Sequence, residues 1–335
     1  MSYGTNIKFG IAMQTSGGTP VPAANVGSFY QIPLLSEDFG LEKATIESAN
    51  LNGSFVRGSI FDGINKVAGT IQMEALPKQL GVLMTACLGD PVRTTSGAAV
   101  KNWLFNPRTV DFDSYYCNRP VTVFKQFADA STGDLFYDVQ FSDLEFDITA
   151  GQLLKVSATA VGGKRVTNGT SMNLGAVFDP TDYNDQWMWA VASVSYGGAA
   201  QPNFTDVKIK ISANIDPLYG LNQSFDPIKY TRKDFLDVNV TGTFYMSDRA
   251  MLNSFVASTT QRLTVSLVNS ATAVASGYFM SLLLDVPQVK ITEFKPGASG
   301  PGEVAVRFSG MGVIDPTSNY AFQATLVNSF PNTVY

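Results

Sequence analysis

Residues 66–73 read KVAGTIQM, and residues 239–246 read NVTGTFYM. Both octets follow the pattern V-x-G-T-φ-x-M, in which φ is apolar, and in both the apolar residues alternate with small or polar ones. This alternation is typical of a β-strand with one buried face. Each octet is followed by a short segment with helical spacing. The sequence therefore predicts that one strand–helix unit occurs twice in the chain.

Other sequence matches recur in the same order in the two halves and extend the duplication over most of the chain. The chain has 335 residues, more than one hydrophobic core usually serves. We therefore expect a first domain over residues 1–163, a linker over residues 164–203 and a second domain over residues 204–335. The matched segments are 48–50 with 212–214, 120–123 with 262–265, 136–143 with 279–285, 148–149 with 291–292, and 151–162 with 302–312.

Each half contains one helix candidate, which directly follows its octet. In the first half, Pro77 suits the first helical position and Gly89 lies just past the end. In the second half, Ser247 or Asp248 can cap the start of the helix. Apolar residues recur at helical spacing in both segments, which predicts one buried helix face in each half. They are Leu80, Leu83, Met84, Cys87 and Leu88 in the first half, and Met251, Leu252 and Phe255 in the second.

Three segments lie outside the repeated pattern. The first half carries extra chain at residues 90–116, which we interpret as an arm that reaches a neighbouring copy, with a solvated insertion as the alternative. The linker contains Trp187 and Trp189, and such aromatic side chains dock either on the chain's own domains or on a neighbouring subunit. Residues 1–35 combine turn-prone Gly and Pro with apolar anchors, so we expect an extended N-terminal arm there.

The composition argues against several classes of function. The formal net charge is −5 and only 15% of the residues are charged, so tight binding to nucleic acid, which depends on clustered Lys and Arg, is not expected. The low charge suggests instead that partner subunits cover part of the surface. No histidine occurs, which removes the commonest general base and metal ligand. Cys87 and Cys117 form no CxxC motif, and we expect two reduced thiols with Cys87 buried, a disulfide being the alternative.

Signals for secretion or membrane insertion are not found in the sequence. The first residues lack the basic and apolar regions of a secretory signal. No apolar run approaches the ~20 residues of a membrane span. We therefore expect the protein to be made and kept in the cytoplasm, without contact with a membrane.

A local series of carboxylates is the strongest candidate for chemistry. The series alternates with apolar residues on a predicted strand, so we expect a solvated or pore-facing acidic strip. Its spacing lacks the order of a calcium-binding loop, and the sequence contains no phosphate-binding loop or nucleophile motif. We therefore expect no catalytic, cofactor-binding or metal site and no enzyme activity. The series consists of Asp134, Asp138, Asp143, Glu145 and Asp147.

Motifs in both halves match a known family by their content and order. They are ESAN at residues 47–50, VAGT at 67–70, a leucine-rich segment at 80–89, VTGT at 240–243, and the segments 282–291 and 302–310. Taken in this order they resemble siphophage tail tube proteins, also called major tail proteins. The resemblance implies a mainly β fold with two tandem β-sandwich or half-barrel domains, each with one flanking α-helix. It also implies that strands of adjacent units pair and close a β-barrel around a lumen.

The resemblance further implies a structural role in the virion tail, with assembly in the host cytoplasm. Family tubes are sixfold, so a chain with two tube units can form a ring from three copies with pseudo-sixfold symmetry; six two-domain copies per ring are the alternative. Stacked rings form a hollow conduit for DNA ejection, through which DNA passes without specific binding. The expected partners, besides further copies, are the tape measure, tail terminator and distal tail proteins.

Two other classes of function compete with this interpretation. The main alternative is a tandem-β-domain adhesin of a phage tail that binds a receptor or glycan, although adhesins are often secreted and this chain lacks a secretory signal. The third is a polysaccharide-degrading tail enzyme. The absence of histidine and of a convincing acid/base pair argues against that enzyme.

Overall fold

The computed structural model describes residues 7–22, 29–48, 59–95, 100–126, 133–168, 186–201, 203–246, 249–275, 277–297 and 304–329. Strands account for 59% of the structure and helices for 8%, and the strands form large antiparallel sheets. The prediction of a mainly β fold with two helices is therefore confirmed.

The elements are numbered in chain order. Helix α1 spans Pro77–Leu88 and helix α2 spans Ala250–Val256. The strands are β1 (Lys8–Met13), β2 (Tyr30–Gln31), β3 (Ser36–Glu37), β4 (Gly40–Glu47), β5 (Ile60–Glu74), β6 (Val92–Thr95), β7 (Lys101–Phe105), β8 (Val121–Gln126), β9 (Gly133–Thr149), β10 (Lys155–Val161), β11 (Lys164–Asn168), β12 (Ala192–Tyr196), β13 (Ala199–Ala200), β14 (Phe204–Ser212), β15 (Ile215–Leu218), β16 (Lys229–Arg232), β17 (Asp237–Tyr245), β18 (Thr260–Ala275), β19 (Tyr278–Gly297), β20 (Ala305–Gly312) and β21 (Gln323–Asn328).

The two halves of the chain have the same strand order. In the first half, β4, β5, β10 and β9 pair in that order, and β8 and β11 pair with the N-terminal part of β9. In the second half, β14, β17, β20 and β19 pair in that order, and β18 and β21 pair with the N-terminal part of β19. The strands that precede each half extend the match, because β1 pairs with β8 and β12 pairs with β18. The duplication seen in the sequence is thus present in the topology.

A β-bulge marks the same point in both halves. Ser142 is the extra residue of β9 where its register with β10 shifts, and Thr292 is the extra residue of β19 where its register with β20 shifts. Each hydroxyl group donates a hydrogen bond to a backbone oxygen of the opposite strand: Ser142 Oγ to Thr159 O at 3.4 Å, and Thr292 Oγ1 to Ser309 O at 3.2 Å. We therefore treat the two bulges as equivalent positions.

Following the ladders outward from the bulges gives the equivalent residues of the two halves. Asp143 corresponds to Glu293, so the sequence match that placed it with Asp285 is wrong. At the other end of the ladder, Glu42 corresponds to Ser212.

The glycines of the two octets are also out of register. Gly69 corresponds in the ladder to Val240 rather than to Gly242, two residues further on. A shift of two residues keeps every side chain on its own face of the sheet. The alternation that predicted these strands therefore could not detect the shift.

The two halves are joined into one continuous sheet. The C-terminal part of β9 pairs with β10 on one side and with β14 on the other, so that Thr149 lies opposite Asp206 and Asp143 lies opposite Ser212. The sheet therefore runs β4–β5–β10–β9–β14–β17–β20–β19. The predicted linker at residues 164–203 includes β11, which pairs with the first half, and β12 and β13, of which β12 pairs with the second. The domain limits at 163 and 204 stay a prediction.

Both predicted helices are present; α1 packs on strands of both halves and α2 packs on the sheet of the second half. Helix α1 begins at Pro77 and ends before Gly89, whose φ of 107° suits a residue without a side chain. It is almost entirely buried and contacts β9, β7 and β21. Helix α2 is shorter, contacts β19 and buries Met251. The predicted caps Ser247 and Asp248 lie outside the described residues.

The described part of residues 1–35 does not form an extended arm. Strand β1 pairs with β8 along its whole length, and Phe9 and Ile11 are fully buried. The expectation of an N-terminal arm is therefore wrong for this strand. The apolar run in β1 is stabilised by burial, which an exposed arm would not provide.

The described part of the insertion at residues 90–116 is anchored within the chain. It folds into β6 and β7, and β7 pairs with β21, the last strand of the second half. Trp103 is buried, and its indole N–H donates a hydrogen bond to Asn328 Oδ1 at 3.0 Å. Strands β6 and β7 are thus held within the chain, whereas Val110 and Tyr115 of the same insertion are exposed. That the insertion reaches a neighbouring copy stays a prediction, with a solvated insertion as the alternative.

The two tryptophans of the predicted linker differ in their surroundings. Trp187 is fully buried in the main core, and its backbone oxygen accepts a hydrogen bond from Leu154 N at 2.9 Å. Trp189 is about half exposed. Of the two alternatives left open by the sequence, Trp187 thus docks on its own chain.

Candidate assembly site: a polar sheet face and two open edges

One face of the continuous sheet is buried, and the other is polar. Along β9, Leu144, Phe146 and Ile148 lie in the core, and the residues between them point to the opposite face. Because cross-strand partners share a face, the ladders extend this polar face from β5 to β19. Among its partly or fully exposed residues are Thr70, Gln72, Asp143, Glu145, Asp147, Lys155, Ser157, Thr159, Asp206, Lys208, Lys210, Asn239, Thr241, Thr243, Glu293, Lys295, Arg307, Ser309 and Met311.

Charges of opposite sign are paired on the polar face. Lys208 Nζ lies 2.8 Å from Asp147 Oδ2, and Lys210 Nζ lies 3.2 Å from Asp143 Oδ2. The hydrogen bond to Asp147 raises the pKa of Lys208, so its ammonium group stays charged at neutral pH. These partly exposed pairs each contribute only about 0–1 kcal/mol to stability. Their main effect is to offset the negative charge of β9.

The predicted acidic strip is therefore split and partly neutralised. Asp143, Glu145 and Asp147 share the polar face as expected. Asp134 instead pairs with Arg165, with 2.6 Å between Oδ1 and the guanidinium Nη2. The series as a whole does not form one solvated or pore-facing strip.

Asp138 is a fully buried carboxylate that is held by hydrogen bonds and an ion pair. Its Oδ1 accepts hydrogen bonds from Gly18 N at 2.7 Å and from Gln14 Nε2 at 3.1 Å, and Lys164 Nζ lies 3.5 Å from its Oδ2. Its φ of 60° interrupts the regular strand. Alternation predicts side-chain direction only in regular strands, which is why the sequence placed this residue wrongly.

The continuous sheet ends in two open edges. At one end, β3 and β4 have pairing partners only in β5 among the described residues. At the other end, residues 293–297 of β19 pair only with β20 in the same part of the structure. The equivalent residues 143–147 of β9 pair with strands on both sides. An open edge exposes N–H and C=O groups that can pair with a strand of another chain.

A hairpin with exposed apolar side chains extends from one of these edges. We call it the first hairpin; its described residues are 40–47 and 60–66. Ile46, Ile60 and Phe61 are each about 60% exposed. Ile46 and Phe61 share one face of the hairpin and Ile60 lies on the other, so both faces expose apolar side chains of the kind that mark interaction surfaces.

Both cysteines are free and buried, which confirms the prediction. Burial, with a smaller contribution from Asp143, raises the pKa of the Cys87 thiol well above its ordinary value. Burial and the nearby Asp111 raise the pKa of Cys117 to about 11. Both thiols are therefore protonated at neutral pH, and the thiolate that acts as a nucleophile is scarce.

Neither described helix has the length and apolar character that crossing a membrane requires. Within the residues that the structure covers, no three His, Cys, Asp or Glu side chains form a group that could hold a metal ion.

A family model described as phage tail tube protein matches residues 4–312. No curated protein sequence matches the chain. The family match extends over both halves of the duplicated sheet, including its polar face and both open edges. The chain therefore belongs to the phage tail tube protein family.

Proposed function

We propose that this chain forms the wall of a phage tail tube. Copies pair edge to edge into rings, and the rings stack into a hollow conduit for DNA ejection. One observation carries the proposal: a continuous sheet of two equivalent units has an open edge at each end. Membership of the tail tube family supports the same function.

The two open edges belong to different strands, so contacts between copies are head-to-tail. Head-to-tail contacts give a closed ring when the rotation between copies closes, and an open helical filament when it does not. Within the chain, the β9–β14 junction already relates one unit to the next. When the same relation is repeated between copies, three chains supply the units of a sixfold tube. We therefore favour a ring of three copies over a ring of six.

The polar face is the part of the sheet that suits a lumen carrying DNA. The opposite face is buried beneath the helices and the core. Nonspecific affinity for DNA comes from clustered Lys and Arg, whereas the lysines Lys208 and Lys210 are paired with carboxylates. A lining rich in hydroxyl groups and paired charges, with Arg307 as a further exposed cation, gives phosphate groups few sites to bind. DNA therefore passes without adhering.

The charge of this lining can be tested in the assembled virion. Replacing Asp143 and Asp147 by Lys adds positive charge to the polar face without changing the core side of β9. We expect slower DNA release, and less slowing at higher salt, because charge interactions are screened within ~8 Å at physiological ionic strength. Asp234→Lys, on an exposed loop, is the matched control. Equal release rates in all variants would contradict the assignment of this face to the lumen.

A tube protein also contacts other proteins of the tail. We propose contacts with the tape measure, tail terminator and distal tail proteins, assembly in the host cytoplasm, and no catalytic role. The family match supports a virion location, and the shielded thiols and paired carboxylates described above support a structural role.

Negative-stain electron microscopy of the purified protein tests the proposed function. We expect hollow tubes or stacked rings, with six similar lobes in cross-section and threefold symmetry at the periphery, where only the first unit carries β6 and β7. The mass of an isolated ring should be three times 36.1 kDa. A ring of six chains would overturn the trimer alone. Dispersed monomers that bind glycans would overturn the tube function and favour the tail adhesin.

A further inference from the structure

Each unit carries a hairpin in the same place, at the outer end of its first two strands of the continuous sheet. In the first unit this is the first hairpin, defined above. In the second unit it consists of β15 and β16, and we call it the second hairpin. Counting five residues outward along the first strand from the equivalent residues Glu42 and Ser212 reaches Glu47 and Pro217. Their cross-strand partners are Ile60 in the first hairpin and Tyr230 in the second.

The second hairpin docks on the first unit of its own chain. Tyr230 is only 6% exposed, its ring stacks on Tyr116 with 5.5 Å between centroids, and its Oη accepts a hydrogen bond from Gly163 N at 2.8 Å. A Cβ atom at Gly162 would lie 2.0 Å from the Tyr230 ring. The hairpin thus lies directly on the backbone that follows β10.

The equivalent surface of the second unit is uncovered. Because β10 and β20 correspond residue by residue, residues 161–164 of the first unit correspond to residues 311–314 of the second. Met311, Val313 and Ile314 are 43%, 37% and 57% exposed. In the part of the chain that the structure describes, no hairpin lies over them.

The first hairpin is exposed at the position where the second hairpin is buried. Ile60 is 61% exposed, although the equivalent Tyr230 is buried. Ile46 and Phe61 pair with each other in the ladder and are exposed on the opposite face of the hairpin. Asn65, at the base of the first hairpin, is hydrogen-bonded to the loop at residues 219–228 of the same chain, but the side chain of Ile60 is left uncovered. The described residues therefore include an exposed apolar side chain on a hairpin and an exposed apolar surface that a hairpin could cover.

We propose that the first hairpin of one copy docks on residues 311–314 of the neighbouring copy, as the second hairpin docks on residues 161–164 within the chain. The proposal rests on the tail tube function and names the surface by which copies recognise each other. The occupant is a second copy, because the first hairpin and residues 311–314 lie toward opposite ends of the sheet. With strands about 4.8 Å apart, that separation is roughly 25 Å or more within one chain.

Pairing of the open edges brings hairpin and surface together. The β9–β14 register, transferred to the open edges, puts Leu41 opposite Phe294 and Glu42 opposite Glu293 of the neighbour. The first of these contacts is apolar, like the equivalent pair inside the chain. The second brings two carboxylates together, but each has an ion-pair partner in its own chain. The partners are Lys66 for Glu42 and Lys295 for Glu293.

Thiol cross-linking in assembled protein tests the proposal. The double variant Ile60→Cys with Val313→Cys, treated with a short bifunctional maleimide, should give a ladder of covalent oligomers on a denaturing gel. The native thiols are buried and do not contribute to it. The matched control is Leu221→Cys with Val313→Cys, which moves one cysteine to a fully exposed position of the second hairpin and should give no ladder.

A second variant separates this proposal from the tube function. Ile60→Asp should raise the protein concentration needed for assembly about tenfold or more, because a charge replaces an apolar contact. Ile60→Val should assemble normally, and circular dichroism checks that both variants fold. Wild-type tubes without the ladder, together with normal assembly of Ile60→Asp, would overturn the docking and leave the tube function intact. Wild-type protein that forms neither rings nor tubes would overturn the tube function.

Discussion

Removing the hydroxyl group of Tyr230 should destabilise the chain by about 1–3 kcal/mol. Gly163 N donates a hydrogen bond to Tyr230 Oη at 2.8 Å, and both groups are buried. The substitution Tyr230→Phe leaves this N–H without an acceptor and keeps the ring stacked on Tyr116. The cost is therefore that of one unsatisfied buried donor. Tyr230→Ala removes the ring as well and should cost about 3–5 kcal/mol.

Urea unfolding of the unassembled chain measures this difference. The midpoint should shift to lower urea without a change in slope, since the amount of surface exposed on unfolding is the same. Tyr115→Phe is the matched control, because the Tyr115 side chain is exposed and its loss should change stability by less than ~0.5 kcal/mol. A Tyr230→Phe variant as stable as the wild type would refute the reasoning.

The same residue predicts a loss of stability at alkaline pH. Burial raises the pKa of Tyr230 well above its ordinary value, so the folded chain holds the phenol proton more tightly than the unfolded chain does. This contribution is complete below the unfolded pKa of about 10 and is lost as the pH rises toward the folded value. The free energy of unfolding should therefore fall above about pH 10, and less steeply for Tyr230→Phe. Identical slopes for the two proteins would contradict this assignment.

Three further predictions concern buried groups. Trp187→Ala should cost about 3–5 kcal/mol and Trp189→Ala about 1 kcal/mol or less, because only the first side chain is fully buried; equal shifts in urea midpoint would contradict this. Asp138→Ala should cost about 3 kcal/mol, because it removes a buried acceptor and leaves a lysine unpaired. An unchanged thermal midpoint would argue against that role. Cys87 and Cys117 should react with a thiol reagent at neutral pH only on unfolding, and rapid labelling of the folded chain would show that they are accessible.

Local patterns in the sequence predicted the elements well. The two octets lie in β5 and β17, and helix α1 begins at Pro77 and ends before Gly89 as the end signals indicated. The alternation from Asp143 to Asp147 correctly placed three carboxylates on one face of β9. These features depend on residues close together in the chain, where spacing and capping decide the structure.

Long-range features could not be predicted in the same way. Alternation does not change when a strand shifts by two residues. The alignment of Gly69 with Gly242 therefore fits the sequence pattern, but the strand registers align Gly69 with Val240. The pairing of β7 with β21 and of β9 with β14 joins distant segments that carry no shared motif. The lysines that offset the acidic residues of β9 come from β14, and only that pairing brings them together.

The β9–β14 pairing connects two units by the polypeptide itself, so in the proposed ring every second junction forms when a chain folds. A junction formed in this way avoids the loss of translational and rotational freedom on association, about 4–15 kcal/mol. Because each chain contributes two linked units, the linkage also restricts how many units a ring can contain. A closed ring of such chains contains an even number of units, and its diameter cannot be wrong by a single unit. In the proposed tube, the two-unit chain therefore prevents a ring with one unit too many or too few, an error that separate one-unit subunits could make.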